Sequence, residues 1–197
     1  MQFVIAAPVE LVDALAELVE PLAEVERSWL ERSRAAAWAR PGVERRDALA
    51  AVDDQLLLLR ERGELLGTQG AVVAHHLRAI LREEGWDVRT WRAVPAGVKR
   101  LPGRPLGRGE RQLADGDRGG PARLVVMLPD DLGDLVRRIA YRVSRPAVVK
   151  LAGKVARAER ERLRGEVLTT GDLIRAAALR ALGREFYFYS PQRPASS

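Results

Sequence analysis

A mainly α-helical fold with short β-strands follows from three observations. Apolar residues recur at three- and four-residue spacing over most of the 197 residues, alternation is confined to a few short stretches, and Gly and Pro fall between these segments. A short apolar run, Phe3 to Ala7, reads as a strand ended by Pro8. Leu11, Leu15, Leu18, Val19 and Leu22 follow at helical spacing, with Pro21 as a kink or boundary. A second helix is predicted from about Val43 to Leu66, with Leu49, Val52, Leu56, Leu59 and Leu66 as its stripe and Gly67 as its C-terminal cap. A third covers Ala71 to Glu84 and stops at Gly85, and Trp86 to Val94 alternates like a strand.

The C-terminal part repeats this order. Leu124 to Leu128 is a strand closed by Pro129, Asp130 to Val143 a helix, and Ser144-Arg145-Pro146 a break before a basic helix from Ala147 to Arg164. A last helix spans Leu173 to Leu182 with Thr170 as N-cap. Between the parts, residues 95–121 hold 7 of the 17 glycines and 4 of the 11 prolines without apolar periodicity, the signature of a flexible linker. The division is therefore an acidic N-terminal strand-and-helix domain (1–94), a linker (95–121), a basic domain (122–189) and a disordered tail (190–197).

Composition narrows function. There is no cysteine and only two histidines, His75 and His76, whose adjacency sets them about 100° apart on a helix and prevents them from sharing one metal. No metal, cofactor or catalytic constellation assembles, so a non-enzymatic role is expected. No segment approaches the roughly 18 apolar residues of a membrane span, and the apolar start lacks a basic flank, so a cytoplasmic protein is expected. Lys and Arg number 33 against 27 acidic residues, a net charge of +6, and the excess lies in the second half. Such asymmetry suits a polyanion on the basic side.

Two segments echo each other. Phe3-Val4-Ile5-Ala6-Ala7-Pro8 aligns with Leu124-Val125-Val126-Met127-Leu128-Pro129, and Thr68-Gln69-Gly70 with Thr169-Thr170-Gly171. A duplication would account for both. The run Arg123-Leu124-Val125-Val126-Met127-Leu128-Pro129, followed later by Thr170-Gly171-Asp172-Leu173-Ile174-Arg175-Ala176-Ala177, resembles the ribbon-helix-helix family of DNA-binding proteins. The resemblance covers about 45 residues. It implies two strands paired antiparallel into a ribbon that enters the major groove, and phosphate held at the start of the second helix. On that pattern Arg123, Val125 and Met127 would face DNA, and Thr169, Thr170 and Gly171 would hold phosphate. Two features differ from the family: about 25 residues separate the helices, and Val125 and Met127 are apolar where base edges call for donors. Gln2 and Val4 take the matching places in the first repeat, so one chain could supply both strands.

Other basic residues extend this reading. Lys99, Arg100 and Arg108 flank Gly103-Arg104-Pro105, which resembles a degenerate AT-hook, and Lys150, Lys154 and Arg157 lie on the basic helix. The leading expectation is a double-stranded-DNA-binding repressor or accessory factor in plasmid maintenance or transfer, acting as a homodimer or an intrachain pseudo-dimer. The alternative is an α-helical adaptor that binds a protein partner through Leu-rich helices and the Phe186-Tyr187-Phe188-Tyr189 segment.

Overall fold

The computed structural model describes residues 1–96 and 122–184. Among these are six helices and one two-stranded sheet. Strand β1 (Gln2–Ala7) precedes α1 (Val9–Trp38), α2 (Gly42–Arg62) and α3 (Gln69–Glu83). Strand β2 (Ala122–Met127) precedes α4 (Asp130–Leu151), α5 (Arg157–Gly165) and α6 (Thr170–Ala181). The mainly helical class with short strands is therefore the class the periodicities predict.

The two strands pair antiparallel across the whole sequence, with Gln2 opposite Met127, Val4 opposite Val125 and Ala7 opposite Ala122. Successive side chains point to opposite faces of the ribbon. Phe3, Ile5, Ala7, Leu124 and Val126 turn inward and are buried. They meet Leu11 and Leu15 of α1, Val72, Val73 and Leu77 of α3, Leu132, Val136 and Ile139 of α4, and Leu173 and Ile174 of α6 in one cluster. Residues from both sides of the 95–121 stretch thus enter a single core.

The register ties the repeat to the geometry. Val4 and Val125 are equivalent in the repeat alignment, and they face each other in the ribbon. An isologous two-fold contact has this property: a residue on the axis meets its own equivalent. The helices obey the same relation. Val72, Val73, Ala74 and Leu77 of α3 are buried, and so are their equivalents Leu173, Ile174, Arg175 and Ala178 of α6.

Several boundaries differ from the periodicity. Helix α1 runs through Pro21 and α4 through Pro146; both prolines are exposed, so water can serve the carbonyls that their missing N–H groups leave unbonded. The second break thus falls after Leu151, not at Ser144-Arg145-Pro146, and divides the basic helix in two. Helix α2 ends at Gly63, whose positive φ of 79° closes the last turn, rather than at Gly67. Its Leu stripe does not form a core face, since Val52 is its one buried residue. Trp86 to Val94 is not a strand. Its backbone is held by side chains: Trp91 Nε1 donates to the Trp86 carbonyl at 2.7 Å and Arg142 Nη2 to that of Ala93 at 2.9 Å. The cap of α6 is Thr169, not Thr170, because Asp172 completes a capping box with it.

Candidate functional site

The ribbon turns Gln2, Val4, Arg123, Val125 and Met127 to solvent, with Ala6 partly covered. Val4 is 56% exposed, Val125 46% and Met127 60%, so the outward face is an apolar strip with one cation, Arg123, paired across from Ala6. Gln2, opposite Met127, brings the other hydrogen-bonding side chain.

Each end of the ribbon is flanked by the start of a helix. At the Gln2–Met127 end stands α3. A Cβ on Gly70 would lie under 3.0 Å from the Met127 carbonyl oxygen, so only glycine permits this approach. At the Ala6–Arg123 end stands α6. Arg175 Nη1 donates to the Ala6 carbonyl at 2.8 Å, and a Cβ on Gly171 would sit 3.6 Å from Ile5 Cγ2. Ala6 and Met127 are equivalents in the repeat, so the two helices meet equivalent carbonyls by different means.

The helix starts also differ in charge. Thr68 Oγ1 accepts from the Ala71 N–H at 3.1 Å, and the first turn of α3 carries no acid. In α6 the Asp172 carboxylate occupies the corresponding ground. Its Oδ2 accepts from the Thr169 N–H at 2.8 Å and from the Thr169 hydroxyl at 2.7 Å, while Oδ1 takes Arg175 Nη2 at 2.5 Å. Thr169, Thr170 and Gly171 therefore border a carboxylate that itself uses the helix dipole.

Beyond each flank the chain makes an excursion between two braced points. In the first half, Glu26 of α1 accepts from the Gly67 N–H at 3.0 Å and from Arg60, which ties the start of the 24–66 stretch, the brace residue Glu26 included, to its end. In the second, the Ser144 hydroxyl of α4 donates to the Leu168 carbonyl at 2.7 Å and accepts its N–H at 2.8 Å, enclosing 145–167. The first excursion holds eight basic and nine acidic residues, the second seven basic and three acidic. Lys150 closes α4, Lys154 lies in the connection and Arg157 opens α5, all exposed. They belong to the 145–167 excursion, whose base at Leu168 adjoins Thr169, Thr170 and Gly171.

Lys99, Arg100, Arg104 and Arg108, and the Phe186 to Tyr189 segment, lie outside the described residues. His75 and His76 are half-buried neighbours whose rings meet edge to face at 5.2 Å. Burial, with the adjacent His75 and with Arg180, lowers the His76 pKa below its ordinary range. Among the described residues, no group of three or more metal-ligating side chains occurs, and no helix is long and apolar enough to cross a membrane.

Sequence reasoning passed over the Asp172–Arg175 pair and the braces Glu26 and Ser144. Polar residues inside an apolar helix pattern were the signal available for them. No protein-family model, no curated protein and no solved structure matches the chain.

Proposed function

We propose that the protein binds double-stranded DNA with the ribbon as its groove-facing element, reading backbone and groove shape rather than base edges. The observation that carries this is the antiparallel pairing of Gln2–Ala7 with Ala122–Met127, whose outward side is exposed along its length. Six residues at about 3.3 Å each span roughly 20 Å, and a two-stranded ribbon fits the major groove, about 12 Å wide. One chain supplies both strands, so the ribbon needs no second copy. An antiparallel ribbon is what the ribbon-helix-helix resemblance implies.

Affinity would come from phosphate contacts, and its salt dependence would report their number. Weak sequence discrimination follows because the outward Val4, Val125 and Met127 can touch thymine methyl groups but offer no donor to a guanine or adenine edge, which leaves only Gln2 and Arg123, toward the two ends of the ribbon, with donors. A repressor or a plasmid-maintenance role would need specificity beyond this face. Fluorescence anisotropy with a random duplex, titrated from low to physiological salt, tests the reading. Binding with a steep salt slope, made shallower in Arg123→Ala, is the expected result. No binding at low salt overturns it.

An adaptor role is favoured by one observation: α2 exposes the adjacent Leu57 and Leu58, 56% and 52% respectively. Failure of DNA binding would move that reading to the front.

A further inference from the structure

We propose that DNA engagement is one-sided: helix α5 and its approach lie along duplex phosphates beyond the Ala6–Arg123 end of the ribbon, and the 24–66 excursion at the other end makes no matching contact. This rests on the DNA-binding reading and names the surface that would supply most of its electrostatics.

The argument begins with the arrangement of charge on α5. At 100° per residue, Arg160, Arg164 and Arg157 fall within about 60° of one another, on one flank of the direction set by the buried Leu163. The acids Glu159 and Glu166 fall on the opposite flank, where Arg162 engages both, at 2.6 Å to Glu159. One arginine thus satisfies two carboxylates, leaving the other flank largely uncancelled. Arg157 has one loose partner, Glu161 at 3.8 Å, and is 94% exposed. Lys150, Lys154, Arg160 and Arg164 enter none of the ion pairs found among the described residues, and all four are exposed.

The base of the excursion that carries this stripe stands beside the ribbon. Ser144 and Leu168 clamp the base of the excursion, and Thr169 next to that clamp begins the helix whose Arg175 grips the Ala6 carbonyl. Arg123 sits opposite Ala6. The cationic excursion therefore leaves the fold at the end of the ribbon that carries its one outward cation. At the far end stand Gln2, Met127 and an excursion in which acids slightly outnumber bases, with Arg27 tied to Glu24 at 2.5 Å, Arg34 to Asp53 at 3.4 Å and Arg60 to Glu26. A rod-like polyanion extending beyond the ribbon would meet attraction on one side only. Apolar packing of Ala147, Leu163 and Val167 holds α5 against α4, so the stripe is carried on a braced hairpin.

The test is a salt titration of random-duplex binding by the whole chain, comparing Arg157→Gln/Arg160→Gln/Arg164→Gln with Arg27→Gln/Arg32→Gln/Arg34→Gln. Both triple variants lose the same charge. The α5 variant is expected to lower the log–log salt slope by about 2 to 3 and to weaken binding at least about tenfold near physiological salt. The control should change the slope by less than about one. Replacing the same α5 arginines with lysines should restore the slope, since a phosphate contact needs the charge, and circular dichroism melts check that each variant is folded. Equal effects of the two glutamine variants, or no effect of either on a binding wild type, overturn one-sidedness. Competition by an acidic peptide as strong as by DNA of equal charge overturns the choice of partner. Absence of wild-type binding is a different failure, that of the DNA reading itself.

Discussion

Where the first half of the core anchors its last helix with a carboxylate, the second uses a hydroxyl, and the contrast extends down the two halves. Ala23, next to Gly67, and Ser144, bonded to Leu168, are equivalents in the repeat. At the helix starts, Ala71 and Ala74 of α3 correspond to Asp172 and Arg175 of α6, so an apolar pair in one half faces an ion pair in the other. The backbone path is shared, while the side chains that hold it have diverged. A path that survives such exchange is set by inward strand residues, helix faces and register, and each half then finds its own way to satisfy the polar groups that path buries.

The largest effect should come from breaking the second half's solution. Arg175 is 1% exposed and Asp172 6%, and the Arg175 Nε has no hydrogen-bond partner, so the pair is buried with an incomplete set of bonds. Arg175→Ala strands a buried carboxylate and frees the Ala6 carbonyl; a loss of about 3–5 kcal/mol in urea unfolding is expected. Asp172→Ala/Arg175→Ala converts this helix start to the residue types of α3 and should recover part of that loss. A cost under about 1 kcal/mol for Arg175→Ala would mean that the two halves do not differ in the way described.

Next comes the close approach of α3 to β2. Gly70→Ala drives a Cβ into the Met127 carbonyl, backbone against backbone, and should cost roughly 1–3 kcal/mol. Gly171→Ala, at the equivalent place, meets nothing nearer than 3.5 Å and should be neutral or slightly stabilising, since alanine favours the helix. Equal costs at the two glycines would show that α3 and α6 stand at the same distance from the ribbon.

Residue patterns made some of this legible and hid the rest for physical reasons. Short unbroken apolar runs at Phe3–Ala7 and Leu124–Leu128 marked both strands, and the aligned prolines marked where both end. The possibility that one chain supplies both strands was readable from the echo, but the register was not, because pairing across residues 2–7 and 122–127 is a long-range contact with no local signature. Pro21 and Pro146 misled because proline's cost depends on whether its helix face meets water, which tertiary structure decides. Alternation in Trp86–Val94 misled because a strand also needs a free edge; here Arg142 and Trp91 take its carbonyls. On the candidate interface, Arg157 was visible as a charge. That Arg160 and Arg164 share its flank while Arg162 is consumed by Glu159 and Glu166 depends on the ion pairs formed, which composition does not reveal.

The smallest effect separates the two braces by pH. Burial of Glu26 would by itself push its carboxyl up. The hydrogen bonds from Arg60 and from the Gly67 N–H, with the Arg60 charge, outweigh this and hold it below the ordinary value of 4.5. Because the folded pKa is the lower one, this brace contributes its full stability above the unfolded value and loses it as pH falls through the folded one. Ser144 does not titrate in that range. Exposed pairs such as Arg34 with Asp53 and Arg78 with Glu61 contribute little to stability. Hydrogen exchange, corrected for intrinsic rates, should therefore show α2 losing protection relative to α5 between about pH 6 and about pH 3.5. Glu26→Gln should already loosen α2 at the upper pH and flatten the dependence, because the amide keeps an acceptor for Gly67 but not the charge facing Arg60. Parallel loss of protection in α2 and α5 would instead assign the acid sensitivity to the shared core, and the two braces would then be equivalent in energy as well as in position.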